Sequence, residues 1–428
     1  MKKKKILTKI ESRVGWWSKR FGPGLITGAA DDDPSGIVTY SNLGAKFRYA
    51  LLWMAFYIYP LMVTVQEICA RVGWVTGRGL SDIIKSRFPK WIYFPLIFAF
   101  VGVNIINIGA DLLAMSDVSH LFLSIPRDFL MIFFALIIIG LEVFLSYKTY
   151  AKFLKFSCLF LLAYPISAVL AHPEWSQVLK SLFLPCFSLK AEYLLGMIAF
   201  FGTTISPYLF FWQSNEEIEE EIEKKKIGEF GQKPKRVTKR EIRKISLDTR
   251  IGMMISELIT IFVIVAAGRV LFEAGIKNIE TAGQAALVLA PLMGKYASLL
   301  FSLGIVGTGL LAVPVLAGAS AYALSEAFNQ KEGLYLKFRE AKTFYLIIVF
   351  SILAGVFAHY LKIPSMVLLY WTAIISGFAT PFILICLMKI SNDKGLMGQY
   401  TNSKLSNFFG WLTVILMFLA IGGFLFLG

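Results

Sequence analysis

The sequence predicts an all-α integral membrane protein of about eleven transmembrane helices, the first and sixth of them discontinuous. Three observations predict this. The chain is 57% hydrophobic and only 17% charged, against roughly 25% charged in an average soluble domain, and its mean hydropathy is +0.65. Its apolar residues fall in repeated runs of about 20, the length that crosses a bilayer core. Two of those runs are interrupted by proline among small or polar neighbours, at Pro34 and Pro207. A net charge of +15 would suggest nucleic acid in a soluble chain. In a membrane protein it reflects basic loops on one side, so the partners expected are the bilayer and a solute, with no nucleic acid.

Taken in order, residues 1–21 form a basic N-terminus. No apolar h-region follows before Trp16, so this start is not read as a cleavable signal, and the first span directs insertion. Spans follow at 22–42, 49–70, 92–116, 128–147, 152–171, 192–214, 251–272, 296–325, 343–361, 365–388 and 406–427. Residues 22–171 and 192–388 lay over one another as two five-helix repeats, with Pro34 and Pro207 at equivalent places, and 406–428 is an additional C-terminal helix. Five is odd, so the halves insert with opposite orientation, an inverted-topology repeat. With the N-terminus cytoplasmic, 34 of the 43 Lys and Arg fall in cytoplasmic segments and nine outside, which supports that count and places the C-terminus outside. The charged segment 215–250 runs acidic and then basic, and reads as a solvated cytoplasmic connector. Cys69, Cys158, Cys186 and Cys386 lack metal-ligand spacing and read as free thiols.

The two breaks carry the chemistry. Proline has no N–H, so the carbonyl four residues earlier loses its helical partner. Hydrocarbon cannot satisfy that carbonyl, so such a break survives only where protein, ion or water does. Paired interrupted spans in matching halves are the best pointer to a transporter's binding site. Asp31, Asp32 and Asp33 stand at the first break. Carboxylates at that depth are costly and mark function, and they set the sign of the solute as cationic. At about 100° per residue the three cannot share one face, so Asp33, directly before Pro34, is expected to face the site. The second break offers Thr203, Ser206 and Tyr208. Hard oxygen donors of this kind suit Mg²⁺, Ca²⁺, Mn²⁺ or an alkali ion. The expected binding set is Asp33, Gly36, Thr203, Ser206, Asp32 and Tyr208, with Asp33, Ser206 and Thr203 on the ion. Asp111, an intramembrane acid in the third span, and Asp31 are the candidates for a proton pathway. His120, His172 and His359 lie near span ends, where interfacial roles are expected.

These residues resemble the NRAMP (natural resistance-associated macrophage protein) family of proton-coupled divalent metal transporters. The likeness covers nearly the whole chain. It includes GPG at 22–24, Asp33-Pro34-Ser35-Gly36, Asn42-Leu43-Gly44-Ala45, Ala70-Arg71-Val72-Gly73, Val75-Thr76-Gly77-Arg78, the sixth-span break and Met397-Gly398. The resemblance implies the LeuT-type fold, with metal bound between helices 1 and 6. The departures are as informative. The family's Asp-Pro-Gly-Asn keeps Asp33 and Pro34 but has Gly36 in place of Asn, and its Met-Pro-His is Ser206-Pro207-Tyr208 here. A second histidine position is Gln213, and the tenth-span Gln is replaced by a small residue near Ala373. The pattern resembles an NRAMP-related subgroup with altered metal-site motifs, which includes magnesium transporters.

The function expected is secondary transport of a divalent cation, Mn²⁺ or Mg²⁺, by alternating access. The ion is cargo, and no resident cofactor is expected. The alternative is a different small solute on the same fold: an organic amine, an amino acid or a monovalent ion. No nucleophile–base pair, phosphate-binding glycine loop or metal-hydrolase spacing marks an enzyme.

Overall fold

A computed structural model describes residues 22–277, 282–283, 286, 295–358 and 365–427. The basic N-terminus 1–21 and His359 lie outside the described residues. Each of the eleven expected spans coincides with a helix or a pair of helices. The first is α1 (Pro23–Asp31) and α2 (Pro34–Phe47), followed by α3 (Trp53–Thr76). A short α4 (Leu80–Arg87) leads to α5 (Lys90–His120) and α6 (Arg127–Phe144). The fifth span is α7 (Tyr147–Ser157) and α8 (Ala163–Leu170), joined by a 3₁₀ turn over Cys158–Leu162. After α9 (Trp175–Phe183), the sixth is α10 (Ala191–Thr204) and α11 (Pro207–Glu223). The remainder are α12 (Lys239–Val270), α13 (Lys295–Ala327), α14 (Lys342–Ala358), α15 (Ser365–Asn392), the short α16 (Lys394–Met397) and α17 (Lys404–Leu427).

Seven of the spans, counting the fifth and the sixth each as a joined pair, are long and apolar enough to cross a membrane among the described residues. The other four spans are shortened or polar for visible reasons. The first is broken at Pro34, the ninth is short, α3 carries Gln66, Glu67 and Arg71, and α6 carries Arg127, Asp128 and Glu142. Local chemistry sets several ends. Gly77, at φ +63°, takes the left-handed conformation that stops α3. Thr238 opens α12 with a capping box, its hydroxyl accepting from the Glu241 N–H while the Glu241 carboxylate accepts from the Thr238 N–H.

The first half-helix is held by α12. Asp248 accepts from the N–H groups of Gly22 (2.9 Å) and Gly24 (2.8 Å), satisfying two orphan donors at the start of α1. A β-carbon on Gly24 would stand 2.6 Å from the Thr249 nitrogen, and one on Gly28 would overlap the Gly252 carbonyl. The two backbones therefore touch with no side chain between them, as small residues permit between membrane helices. Helices α5, α13, α14 and α15 form a second packed group, and α1, α2, α10 and α11 meet between it and α12.

The segment 215–250, expected to be a solvated connector, is so only in its basic half. Helix α11 runs on to Glu223, and Glu216, Glu217, Glu219 and Glu221 are buried. Glu219 accepts from the Tyr322 hydroxyl (2.7 Å) and from the N–H groups of Leu334 (2.6 Å) and Tyr335 (3.1 Å). Glu216 accepts from Tyr147 (3.1 Å) and Glu217 from Gln213 (2.8 Å). The loop after α13 brings N–H groups that need acceptors, and Glu219 provides them. Composition did not reveal this because the donors come from residues over a hundred positions away. Glu219→Ala leaves the Tyr322 hydroxyl and the Tyr335 N–H without this acceptor and the Leu334 N–H with only a 3.4 Å bond to Tyr322, at roughly 1–3 kcal/mol for a buried orphan. A fall in thermal midpoint well beyond that of the exposed Glu223→Ala is expected; equal shifts would mean that the contact carries no stability.

Candidate functional site

Both prolines begin a helix, and the carbonyl each one frees has found a partner. Pro34 frees the Ala30 carbonyl, which accepts the Tyr208 hydroxyl at 2.7 Å. Pro207 frees the Thr203 carbonyl, which accepts the Ser206 hydroxyl at 2.7 Å, while Ser206 also reaches the Gly202 carbonyl at 3.0 Å. Tyr208 thus ties the second break to the first. A further bond between Tyr40 and Thr204, 2.8 Å, joins α2 to the end of α10.

Asp33 is the N-cap of α2. Its Oδ1 accepts from the Gly36 N–H (2.5 Å) and the Ser35 hydroxyl (2.6 Å). This is the ordinary reason for an aspartate before a helix. The other oxygen has a different task. Oδ2 accepts from Asn107 Nδ2 on α5 at 2.9 Å, and Asn107 Oδ1 accepts from Thr372 on α15 at 3.0 Å. One carboxylate therefore links the first break to the third and tenth spans. Asn104 extends the polar line with a 3.0 Å bond to Ser320 on α13.

A narrow cleft runs beside this chain of bonds. It is lined by Ser35, Asn104, Asn107, Thr203, Ser206, Tyr208, Thr372, Ala373 and Ser376, with Phe100, Leu316 and Ile383 further along. From the breaks it follows α5 toward Phe100 and α15 toward Ile383, so it heads for the end of the bundle that carries the 224–238 connector. Its polar lining is hydroxyl and amide, without sulfur or imidazole among the described residues. Gly36 sits tightly: a β-carbon there would be 3.2 Å from Thr203 Oγ1 and 3.3 Å from Asp33 Oδ1. The glycine at this position and the threonine opposite it fit one another.

The structure thus brings together Asp33, Gly36, Thr203, Ser206 and Tyr208. It places Asp31 and Asp32 elsewhere. Asp31 turns to α12, where Ser256 donates to its Oδ2 at 2.8 Å, and the buried Asp32 has Ser256 and Glu257 of the same helix as neighbours. None of the three aspartates lines the cleft itself, and Asp33 alone reaches its wall by a hydrogen bond to a polar lining side chain on another helix, Asn107. Asp111 is buried four residues after Asn107, with the Ser35 N–H and the Asp33 carboxylate as its neighbours. Two members of the constellation escaped the expected set. Asn107 was visible as a polar residue in an apolar span, one turn from Asp111, but its aim at Asp33 was not. Thr372 had no signal beyond standing next to Ala373.

Comparison with known proteins places this geometry. The family model "Natural resistance-associated macrophage protein-like" matches residues 24–427. A "Divalent metal cation transporter MntH" of Chromohalobacter salexigens is 25% identical over 406 residues, covering 91% of this chain and 86% of that protein. A "Metal transporter Nramp3" of Oryza sativa is 24% identical over 418 residues, covering 92% and 72%. Among solved structures, the Eremococcus coleocola manganese transporter has a TM-score of 0.73 at 17% identity, covering 93% of this chain and 84% of that one. The nucleobase-cation-symport transporter MHP1 has a TM-score of 0.60 at 12% identity, covering 94% and 92%. The structural likenesses show the fold, which is of the LeuT type.

Proposed function

Since the chain belongs to the natural resistance-associated macrophage protein family and is a multi-pass membrane protein, we propose that it is a secondary transporter that carries a divalent metal cation, Mn²⁺ or Mg²⁺, by alternating access. The single observation that carries this reading is Asp33 Oδ2. It is a buried carboxylate oxygen at the meeting of two broken helices, held by an amide that can turn away, with the Tyr208 hydroxyl close to the same carboxylate. Half a turn of Asn107 about its last torsion exchanges Nδ2 for Oδ1, and two hard oxygens then face one point. Thr203 Oγ1, Ser206 Oγ and retained water supply further oxygens. Mg²⁺ gives up water reluctantly, and Mn²⁺ accepts the same donors. The absence of a thioether from the cleft leaves nothing to favour Mn²⁺ strongly over Mg²⁺.

In this reading the N-terminus and the 224–238 connector are cytoplasmic, following the charge asymmetry, and the cleft leads toward the cytoplasm. Tyr208 and Tyr40, which bridge the two broken helices, are contacts that must rearrange for the site to reach the other side. Asp111, beside Asp33, and Asp31 are the proposed proton carriers.

The test is titration of the purified protein with Mn²⁺, Mg²⁺ and Ca²⁺, followed by uptake into proteoliposomes holding a pH-sensitive dye. Saturable binding and uptake of Mn²⁺ or Mg²⁺ are expected. Silence of a folded sample toward all three would overturn the reading, and uptake without a dye response would remove Asp111 and Asp31 from their role. Ser206→Met places a thioether in the cleft and should raise the Mn²⁺-to-Mg²⁺ affinity ratio by about tenfold, the scale of one soft contact worth ~1.4 kcal/mol. An unchanged ratio would mean that position 206 does not face the ion.

A further inference from the structure

The cytoplasmic start of α12 carries bases on a particular face. Leu247, Met254 and Leu258 are 58%, 46% and 45% exposed on a helix otherwise packed into the bundle, so they face lipid. At about 100° per residue, Arg240, Arg243 and Lys244 fall within the same arc of roughly 120° as those three. All three bases are exposed, and none makes an ion pair among the described residues. Of the neighbouring acids, Glu241 pairs with Lys226 at 2.5 Å and Glu67 with Arg250, while Lys244 borders on its other side a cleft that it shares with Glu217, Glu220 and Asp248. Directing insertion requires only that positive charge be present in the loop, on any face. Here the charge continues the lipid-facing stripe.

From this register we infer that the start of α12 is a binding site for the headgroups of anionic phospholipids. Arg243 and Arg240 stand about 6 and 10 Å along the axis from Leu247, at 1.5 Å per residue. The expected span starts at residue 251, so Leu247 stands in the interfacial layer and the long basic side chains reach back toward the phosphates from just outside it. Their apolar stems lie along lipid while the guanidinium groups reach the headgroup layer. Lys233, Lys235 and Arg236, exposed just before the helix, widen the positive field. The pairing is one of charge complementarity, with the apolar stripe fixing the lipid as occupant over a free anion. It requires that α12 faces a bilayer and is independent of the ion carried.

The test uses the full chain in a neutral detergent, titrated with phosphatidylglycerol or phosphatidylcholine while the thermal midpoint is read. Phosphatidylglycerol should raise the midpoint, phosphatidylcholine should not, and added salt should shrink the difference. Each basic residue near an anionic surface is worth roughly fivefold in binding. In the triple variant Arg240→Gln, Arg243→Gln and Lys244→Gln, half-saturation should therefore move to concentrations on the order of 100-fold higher. The triple variant Lys331→Gln, Lys337→Gln and Arg339→Gln loses equal charge from another exposed stretch and should keep the wild-type value. Equal weakening in both would reduce the effect to net charge and overturn the assignment. So would stabilisation by glycerol 3-phosphate at the same concentrations, which would leave the apolar stripe without a part. Should the first triple variant not purify folded, Arg243→Gln alone carries the test, with about a fivefold weakening expected.

Discussion

Asp33→Ala is expected to abolish metal binding and uptake while leaving a folded protein. The substitution removes two things that the structure separates. One is the cap of α2, the bonds of Oδ1 to Gly36 and Ser35, whose loss costs about 1 kcal/mol. The other is the negative oxygen aimed through Asn107 into the cleft. No carboxylate lines that cleft itself among the described residues, and Asp33 stands directly behind its Asn107 wall, so nothing in the lining takes over the attraction to a cation. Two charges at contact in a partly dehydrated site interact with several kcal/mol, so affinity should fall at least about 100-fold. Asp33→Asn distinguishes the two losses, since it keeps an acceptor for the Gly36 N–H and gives up the charge and the acceptor that faces Asn107. Titration with Mn²⁺ and Mg²⁺, with thermal unfolding alongside, reads both variants. Both should lose binding, with Asn closer to wild type in stability. Wild-type uptake in either variant would remove Asp33 from the site.

Gly252→Leu should have the largest effect on the architecture. A β-carbon at Gly252 would overlap the Gly24 carbonyl oxygen and lie 3.0 Å from the Leu25 Cα. Overpacking a core usually costs about 1–3 kcal/mol, with neighbouring side chains absorbing the strain. Here the neighbour is backbone, so α1 must move as a whole. Its movement also breaks the Asp248 caps on Gly22 and Gly24 and the Ser256–Asp31 bond. A fall in thermal midpoint and loss of transport are expected for Leu, with Gly252→Ala intermediate. Wild-type melting and transport in the Leu variant would mean that α1 and α12 do not touch in the working protein.

The breaks and the site were legible to different depths. Pro34 and Pro207 announced two broken helices, and the rule that hydrocarbon leaves no carbonyl unpaired announced that the freed groups have partners. Which partners was beyond reach. Ser206, one residue from its proline, is a local answer of the kind sequence can suggest. Tyr208 bonding to the Ala30 carbonyl, 178 positions away, is not. The three aspartates show the same division. Helical geometry implied that they diverge, and only the packing of α5 and α12 against α1 and α2 decided that Asp33 meets Asn107 while Asp31 meets Ser256. The acidic run after Gln213 misled because a solvated helix and a buried one carrying glutamates to distant N–H groups have the same composition.

By itself the sequence determined what the bilayer dictates: the number and order of spans, the positions of the two breaks, the excess of positive charge on one side, and a negative group at the first break. Each follows from the cost of leaving polar backbone or charge in hydrocarbon, a cost paid locally and so written in consecutive residues. The tertiary structure decided the rest: the amide and hydroxyl partners of Asp33, the tight fit of Gly36 against Thr203, the backbone contact of Gly28 with Gly252, and the burial of Glu219. These depend on which side chains from distant segments arrive at one point, and close packing sets that over distances that no local pattern encodes.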